Sequence, residues 1–164
     1  MTIPGSEPRW LSEDNHEAWV PFVTLLWWLP AAIDDQLQCD SGLSHFEYGI
    51  LAALSGADAQ TLRMSELAIY ANGSLSRLSR AVARLENRGW ATRKPDPADG
   101  RYTLATLTGD GAAVLAKAAP GHAETVNRLV FDALTKAQTR QLGIIARRIL
   151  NAIDTETDLT SRLR

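Results

Sequence analysis

The chain has 164 residues, 45% of them hydrophobic, a formal net charge of −2 and a single cysteine. That length suits one domain with assembly elements, and the lone thiol, Cys39, excludes an intrachain disulfide and points to a reducing compartment. Met1–Trp10 has no apolar signal region, and the most hydrophobic run, Trp19–Ile33, is too short and proline-interrupted to cross a bilayer, so a soluble cytoplasmic protein without membrane contact is expected.

Ser12, followed by Glu13 and Asp14, predicts a helix start. That helix reaches about Gln38, with Pro21 and Pro30 at its first turn or at kinks, and Gly42 closes the segment. Ser44 and Glu47 have capping-box spacing and open a helix with Phe46, Ile50, Leu51 and Leu54 along one side, ending near Gly56. Asp58–Arg63 reads as a linker. Ser65–Ala71 reads as a short helix stopped by Asn72-Gly73, and Ser74–Arg88 as the next helix, with Gly89 as its C-terminal cap. In RKPDPADGRYTLATLT, the turn formers Pro95, Pro97, Asp99 and Gly100 separate two short runs, Trp90–Arg93 and Tyr102–Leu107, which predicts a two-stranded hairpin. Thr108 caps a helix through Leu115 and Ala119 that kinks or breaks at Pro120-Gly121. Thr135–Gln138 is a second capping box, opening a last helix with Leu142, Ile145, Ile149 and Ala152 on one face.

The charge is unevenly divided. Leu62–Arg101 holds eight basic and four acidic residues, a net of +4, while the remainder holds nine basic and fifteen acidic, a net of −6. A basic centre on an acidic protein is the footprint of a polyanion site.

On a helical wheel, Leu75, Leu78, Val82 and Leu85 share one face of Ser74–Arg88 and are expected in the core. Arg77, Arg80, Arg84 and Arg88 recur at spacings of three, four and four on the other face, edged by Ser76 and Asn87, with no acidic partner among them. A short helix, a tight turn and a basic amphipathic helix is helix-turn-helix order, in which the second helix enters the DNA major groove. The hairpin then lies beside it. Arg101 at the hairpin tip suits the narrow, electronegative minor groove. Asp99 would orient Arg101, and Arg93 and Lys94 would neutralise phosphate.

Other chemistries find little support. The chain has no nucleophile elbow, P-loop or paired-carboxylate constellation, and Gly109-Asp110-Gly111 lacks the third glycine of a dinucleotide fingerprint, so neither enzyme activity nor a cofactor is expected. His16, His45 and His122 are scattered without metal-ligand spacing, and no metal site is expected. A winged helix that binds a protein partner would present apolar residues where this one presents arginines.

The stretch Leu43–Leu115 resembles the MarR family of winged helix-turn-helix regulators. The residues that carry the resemblance are RMSELA (63–68), SRAVARLENRGW (79–90), PADGR (97–101) and LTGDG (107–111). The resemblance implies a mainly α fold with a small β-hairpin wing: an N-terminal arm and dimerisation helix over 1–42, a winged helix-turn-helix over 43–107, and C-terminal dimerisation helices over 108–164. It implies DNA contact or support by Ser74, Ser79, Arg80 and Arg84, beside Ser76 and Arg77 of the same helix, and a wing aspartate and minor-groove arginine at Asp99 and Arg101. Gly100 departs from the pattern, since the family usually carries a second basic residue there. The resemblance further implies a homodimer on a near-palindromic operator, with half-sites about one DNA turn, roughly 34 Å, apart. It also implies a repressor released by a small aromatic or phenolic ligand, with a DNA-binding regulator that has lost its ligand response as the alternative. Trp19, Phe22 and Trp27, with His16 nearby, suit such a pocket, and the same spacing equally suits a dimer core. Cys39, beside Asp40 at a helix C-terminus, is disfavoured as a thiolate and is expected to be inert.

Overall fold

The computed structural model describes residues 8–71 and 74–157, with side chains to residue 153, so the expected Asn72-Gly73 turn lies outside the described residues. In chain order the elements are α1 (Glu13–Ser41), α2 (His45–Gly56), a 3-10 turn, β1 (Thr61–Arg63), α3 (Met64–Tyr70), α4 (Leu75–Asn87), β2 (Ala91–Pro95), β3 (Thr103–Leu107), α5 (Gly109–Val126), a π turn and α6 (Lys136–Thr157).

The chain divides into two compact units at Ala32–Ile33. The first is the N-terminal part of α1. The Ser12 hydroxyl accepts the Asn15 N–H, as a capping serine should. Trp19, Val20, Leu25, Leu26, Trp27 and Trp28 are all exposed on this stretch.

The second unit holds a winged helix-turn-helix. Leu37, Leu43, Ile50, Leu51, Leu54, Leu67, Leu78, Val82 and Leu85 are completely buried and form its core. Local signals set the helix ends. Ser44 and Glu47 complete the capping box of α2, and Thr135 and Gln138 repeat the arrangement before α6. Gly89 follows α4 with φ +76°, the left-handed conformation that closes a helix. Along α6, Leu142, Ile145 and Ile149 stay exposed in the single chain. No helix among the described residues is long and apolar enough to cross a membrane.

Three expectations are corrected. The segment read as linker contains β1, which pairs antiparallel with β3, so the sheet has three strands in the order β1-β3-β2 rather than two. Three residues are too few to show a period, and the Thr61 and Thr106 hydroxyls meet at 2.9 Å across forty-five positions of sequence. Leu75, expected in the core, is 57% exposed, because the apolar wall begins at Leu78. Helix α5 does not break at Pro120 but runs on to Val126. Ala118 and Thr125 are buried on either side of that proline, and Gly121 lets α5 approach α1, where a methyl group would meet Asp40 Oδ2 at 3.0 Å and Gln36 Nε2 at 3.2 Å. Packing at this depth offsets a local proline cost of about 3 kcal/mol.

Thr108 ties the wing to α5. Its hydroxyl donates to the Gly89 carbonyl at 2.6 Å and accepts the Gly111 N–H at 3.0 Å. Gly111 is buried, and a β-carbon there would overlap the Trp90 carbonyl oxygen. Gly111→Ala is therefore expected to destabilise by about 2 kcal/mol through overpacking, against the usual helical gain of alanine over glycine. Gly109→Ala, at an exposed site with open space around it, is the control and should be neutral or better in a thermal melt.

Candidate nucleic-acid interface

Helix α4 buries Leu78, Ala81, Val82 and Leu85 and turns Ser76 and Arg80 outward. Ser74 caps it by accepting the Arg77 N–H at 3.2 Å. Its arginines do not form one free cationic row. The Arg77 guanidinium stacks on Phe46 at 4.3 Å. Arg84 Nε donates to Glu47 Oε1 at 2.7 Å. Arg88 donates to the Gly42 carbonyl at 2.8 Å and lies over the Trp90 ring. Three of the four thus brace α4 against the start of α2 or the turn that precedes it. The counter-charge that the wheel lacked comes from Glu47, thirty-seven positions away. Arg80 alone among the four has a side chain with no hydrogen bond, ion pair or ring contact among the described residues.

Glu47 is 4% exposed. Burial pushes its pKa up, but the Ser44 N–H, the Arg84 guanidinium and the Ser44 hydroxyl outweigh that and hold it below the usual carboxylate value.

The wing is positioned by two further clusters. Arg93 is committed inward rather than displayed for phosphate: its N–H and Nε both donate to Glu86 at 2.7 Å, and Nη1 donates to the Ser79 hydroxyl at 3.2 Å. Ser79 is half-buried beneath it. At the far end of the wing, Arg63 of β1 donates through Nε and Nη2 to Asp96 Oδ2 at 3.1 and 2.8 Å, while stacking over Tyr102 at 4.4 Å. Buried Asp96 also accepts the Ala98 N–H through Oδ1, and its own N–H reaches the Tyr102 carbonyl. The Ala98 bond leads, and with Arg63 it keeps the Asp96 carboxyl below its ordinary range. Sequence reading assigned no role to Arg63 or Asp96. They stand thirty-three positions apart, and only the Pro-Asp-Pro setting hinted that Asp96 had turn work.

At the tip, Asp99 accepts from Arg101 Nε and from Nη2 at 2.7 Å, the expected orienting contact. The Arg101 side bond lowers the Asp99 pKa and Asp99 raises that of Arg101, so each keeps the other charged. The Arg101 side chain is nevertheless 85% exposed. The Lys94 side chain is exposed, with no hydrogen bond or ion pair among the described residues.

Of the residues considered for a ligand pocket, His16, Trp19, Phe22 and Trp27 are all exposed on α1, with the Trp19 and Phe22 rings tilted 6.1 Å apart. The fold gathers aromatic groups elsewhere: Tyr48 and His122 rings lie 4.4 Å apart, and the His45 ring is 6.3 Å from His122. Burial, then the neighbouring His45, lowers the His122 pKa. Two of the three histidines therefore meet, against the scattered reading, because α2 and α5 pack together. Among the described residues no group of three His, Cys, Asp or Glu could hold a metal ion. Cys39 is free and exposed.

A family model described as the MarR family matches residues 41–101. Among solved structures, the chain is similar to Sco3205, a MarR family transcriptional regulator from Streptomyces coelicolor in complex with DNA, with 42% identity, a TM-score of 0.85, and coverage of 90% of this chain and 92% of that one. It is also similar to the transcriptional regulator HosA of Escherichia coli O111:H-, 29% identical over 65% of this chain and 76% of that protein. The transcriptional repressor MprA of Escherichia coli K12 is 26% identical over 69% of this chain, and the match spans 64% of MprA.

Two outcomes follow from the bracing contacts. Because the folded pKa of Glu47 is depressed, its contribution is present above the ordinary carboxylate range and lost as pH falls through it. Glu47→Gln should cost about 1 kcal/mol near neutral pH, with the gap to wild type narrowing from about pH 5 downward in chemical-denaturation curves. Arg63→Ala should release the wing alone: amide exchange at Asp96 and Ala98 is expected to quicken by about tenfold, while Leu51 and Leu85 keep their protection.

Proposed function

The chain belongs to the MarR family of transcriptional regulators, and on that premise we propose that it is a homodimeric repressor of a near-palindromic operator, released by a small aromatic ligand. Family members are DNA-binding regulators rather than enzymes. The observation that carries the reading is the contrast among the cations. Arg77, Arg84, Arg88 and Arg93 reach across to other parts of the fold, whereas the Arg80 side chain on the outer side of α4 has no partner among the described residues and Arg101, bonded only to neighbouring Asp99, stands exposed at the wing tip. One stands on a helix of groove-reading type and the other on a tip suited to a minor groove.

In this reading Ser76 and Arg80 face base edges, and Ser74 and Ser79 shape the helix start and its wing contact. Arg77 and Arg84 hold α4 in place, their remaining donors serving phosphate. Arg93 positions the wing, Lys94 neutralises phosphate, and Asp99 aims Arg101. The organisation is an N-terminal dimerisation segment over 1–42, the DNA-binding module over 43–107 and C-terminal dimerisation helices over 108–164. Exposed Leu142, Ile145 and Ile149 on α6, and the tryptophans of α1, supply apolar surface that a second copy would cover. His16, Trp19, Phe22 and Trp27 are the residues offered for the aromatic ligand, whose differential affinity would shift the dimer away from its DNA-competent spacing. The cytoplasm is the compartment such work requires. The name of MprA, a transcriptional repressor, supports the sign of regulation.

The test is fluorescence anisotropy on promoter DNA flanking the protein's own gene, across a salt series. The logarithm of affinity should fall linearly with the logarithm of salt. Arg80→Ala and Arg101→Ala should each weaken binding by tenfold or more, and an aromatic acid should release the complex. Binding no tighter than to random DNA, unchanged in both variants, would refute the proposal.

A further inference from the structure

Leu75 is the first residue of α4, and it breaks the pattern of that helix. Leu78, Val82 and Leu85 have no exposed surface, whereas Leu75 shows 57% of its own. The polar groups around it are partly spent on the helix itself. The Ser74 and Ser76 hydroxyls lie 3.1 Å apart in a hydrogen bond, and Ser74 also accepts the Arg77 N–H. The Arg77 guanidinium is drawn to Phe46. The first turn of α4 therefore presents a branched apolar side chain between two mutually bonded hydroxyls.

In helix-turn-helix docking, the N-terminal residues of the recognition helix are the ones that reach base edges. Among the four bases of unmodified DNA, only thymine offers an apolar group in the major groove, its C5-methyl. We propose that Leu75 is a specificity-determining residue that reads a thymine methyl in each half-site. This rests on the DNA-binding reading above and adds a base identity to it. Leu75 supplies little bulk affinity, since it carries no charge for phosphate. Its contribution is the difference between thymine and a base without the methyl.

Replacing thymine by deoxyuridine removes that methyl and leaves every hydrogen-bonding group in place. The experiment uses the full-length protein on its selected operator duplex, with each thymine replaced in turn. Wild type should lose about fourfold in affinity per half-site at one symmetry-related thymine, the value of one buried methyl. Leu75→Ala and Leu75→Ser should bind both duplexes alike, with circular dichroism and melting unchanged. Specific binding that no deoxyuridine weakens overturns the assignment of Leu75 alone, as does full methyl discrimination retained by both variants. Failure to select any duplex overturns the DNA-binding reading and this inference with it.

Discussion

The placement of the recognition helix depends on one buried carboxylate. Glu47 receives the Ser44 N–H and hydroxyl on one oxygen and Arg84 on the other. It therefore begins one helix and grips another. Leucine packing beneath α4 is strong but non-directional, and would tolerate some rotation of the helix about its axis. The Glu47–Arg84 pair, with Arg77 on Phe46 and Arg88 on Gly42, supplies the direction. It decides which way Ser76 and Arg80 face. Removing water from a carboxylate is costly, and three partners are what make the burial tolerable.

The wing is governed in the same manner. Arg93 links it to Glu86 and Ser79 of α4, and Arg63 links it to β1 through Asp96. A two-stranded hairpin is marginal alone. Here both ends are clamped by ion pairs that are partly shielded from solvent, while Arg101 beyond them remains exposed. Rigidity at the base and exposure at the tip let a guanidinium be offered with little loss of conformational freedom on binding.

What the sequence made legible lies within about four residues of its own cause. The Ser44–Glu47 and Thr135–Gln138 boxes, the Gly89 cap, the buried face at Leu78, Val82 and Leu85 and the Asp99–Arg101 contact are all of this kind. What escaped reading has its cause far along the chain. Strand β1 exists because β3 lies beside it, and α5 survives Pro120 because Gly121 packs on α1. The arginine row on α4 looked uniform because Glu47 belongs to another helix. His45 and His122 likewise meet only once α2 and α5 are packed. Leu75 falls just outside the core for a simpler reason: a wheel gives direction, and cannot show where a core stops.

The Arg93–Ser79 bond bears on how such a regulator changes its target over evolutionary time. Ser79 sits on the helix proposed to enter the major groove, yet its hydroxyl also supports the wing. A substitution at Ser79 alters two contact surfaces at once, so drift there must be compensated elsewhere. Positions 76 and 80 carry no comparable tie to the wing, so the helix can exchange those letters without disturbing the support of the hairpin. The scaffold thereby separates letters that are free to change from letters that hold the page.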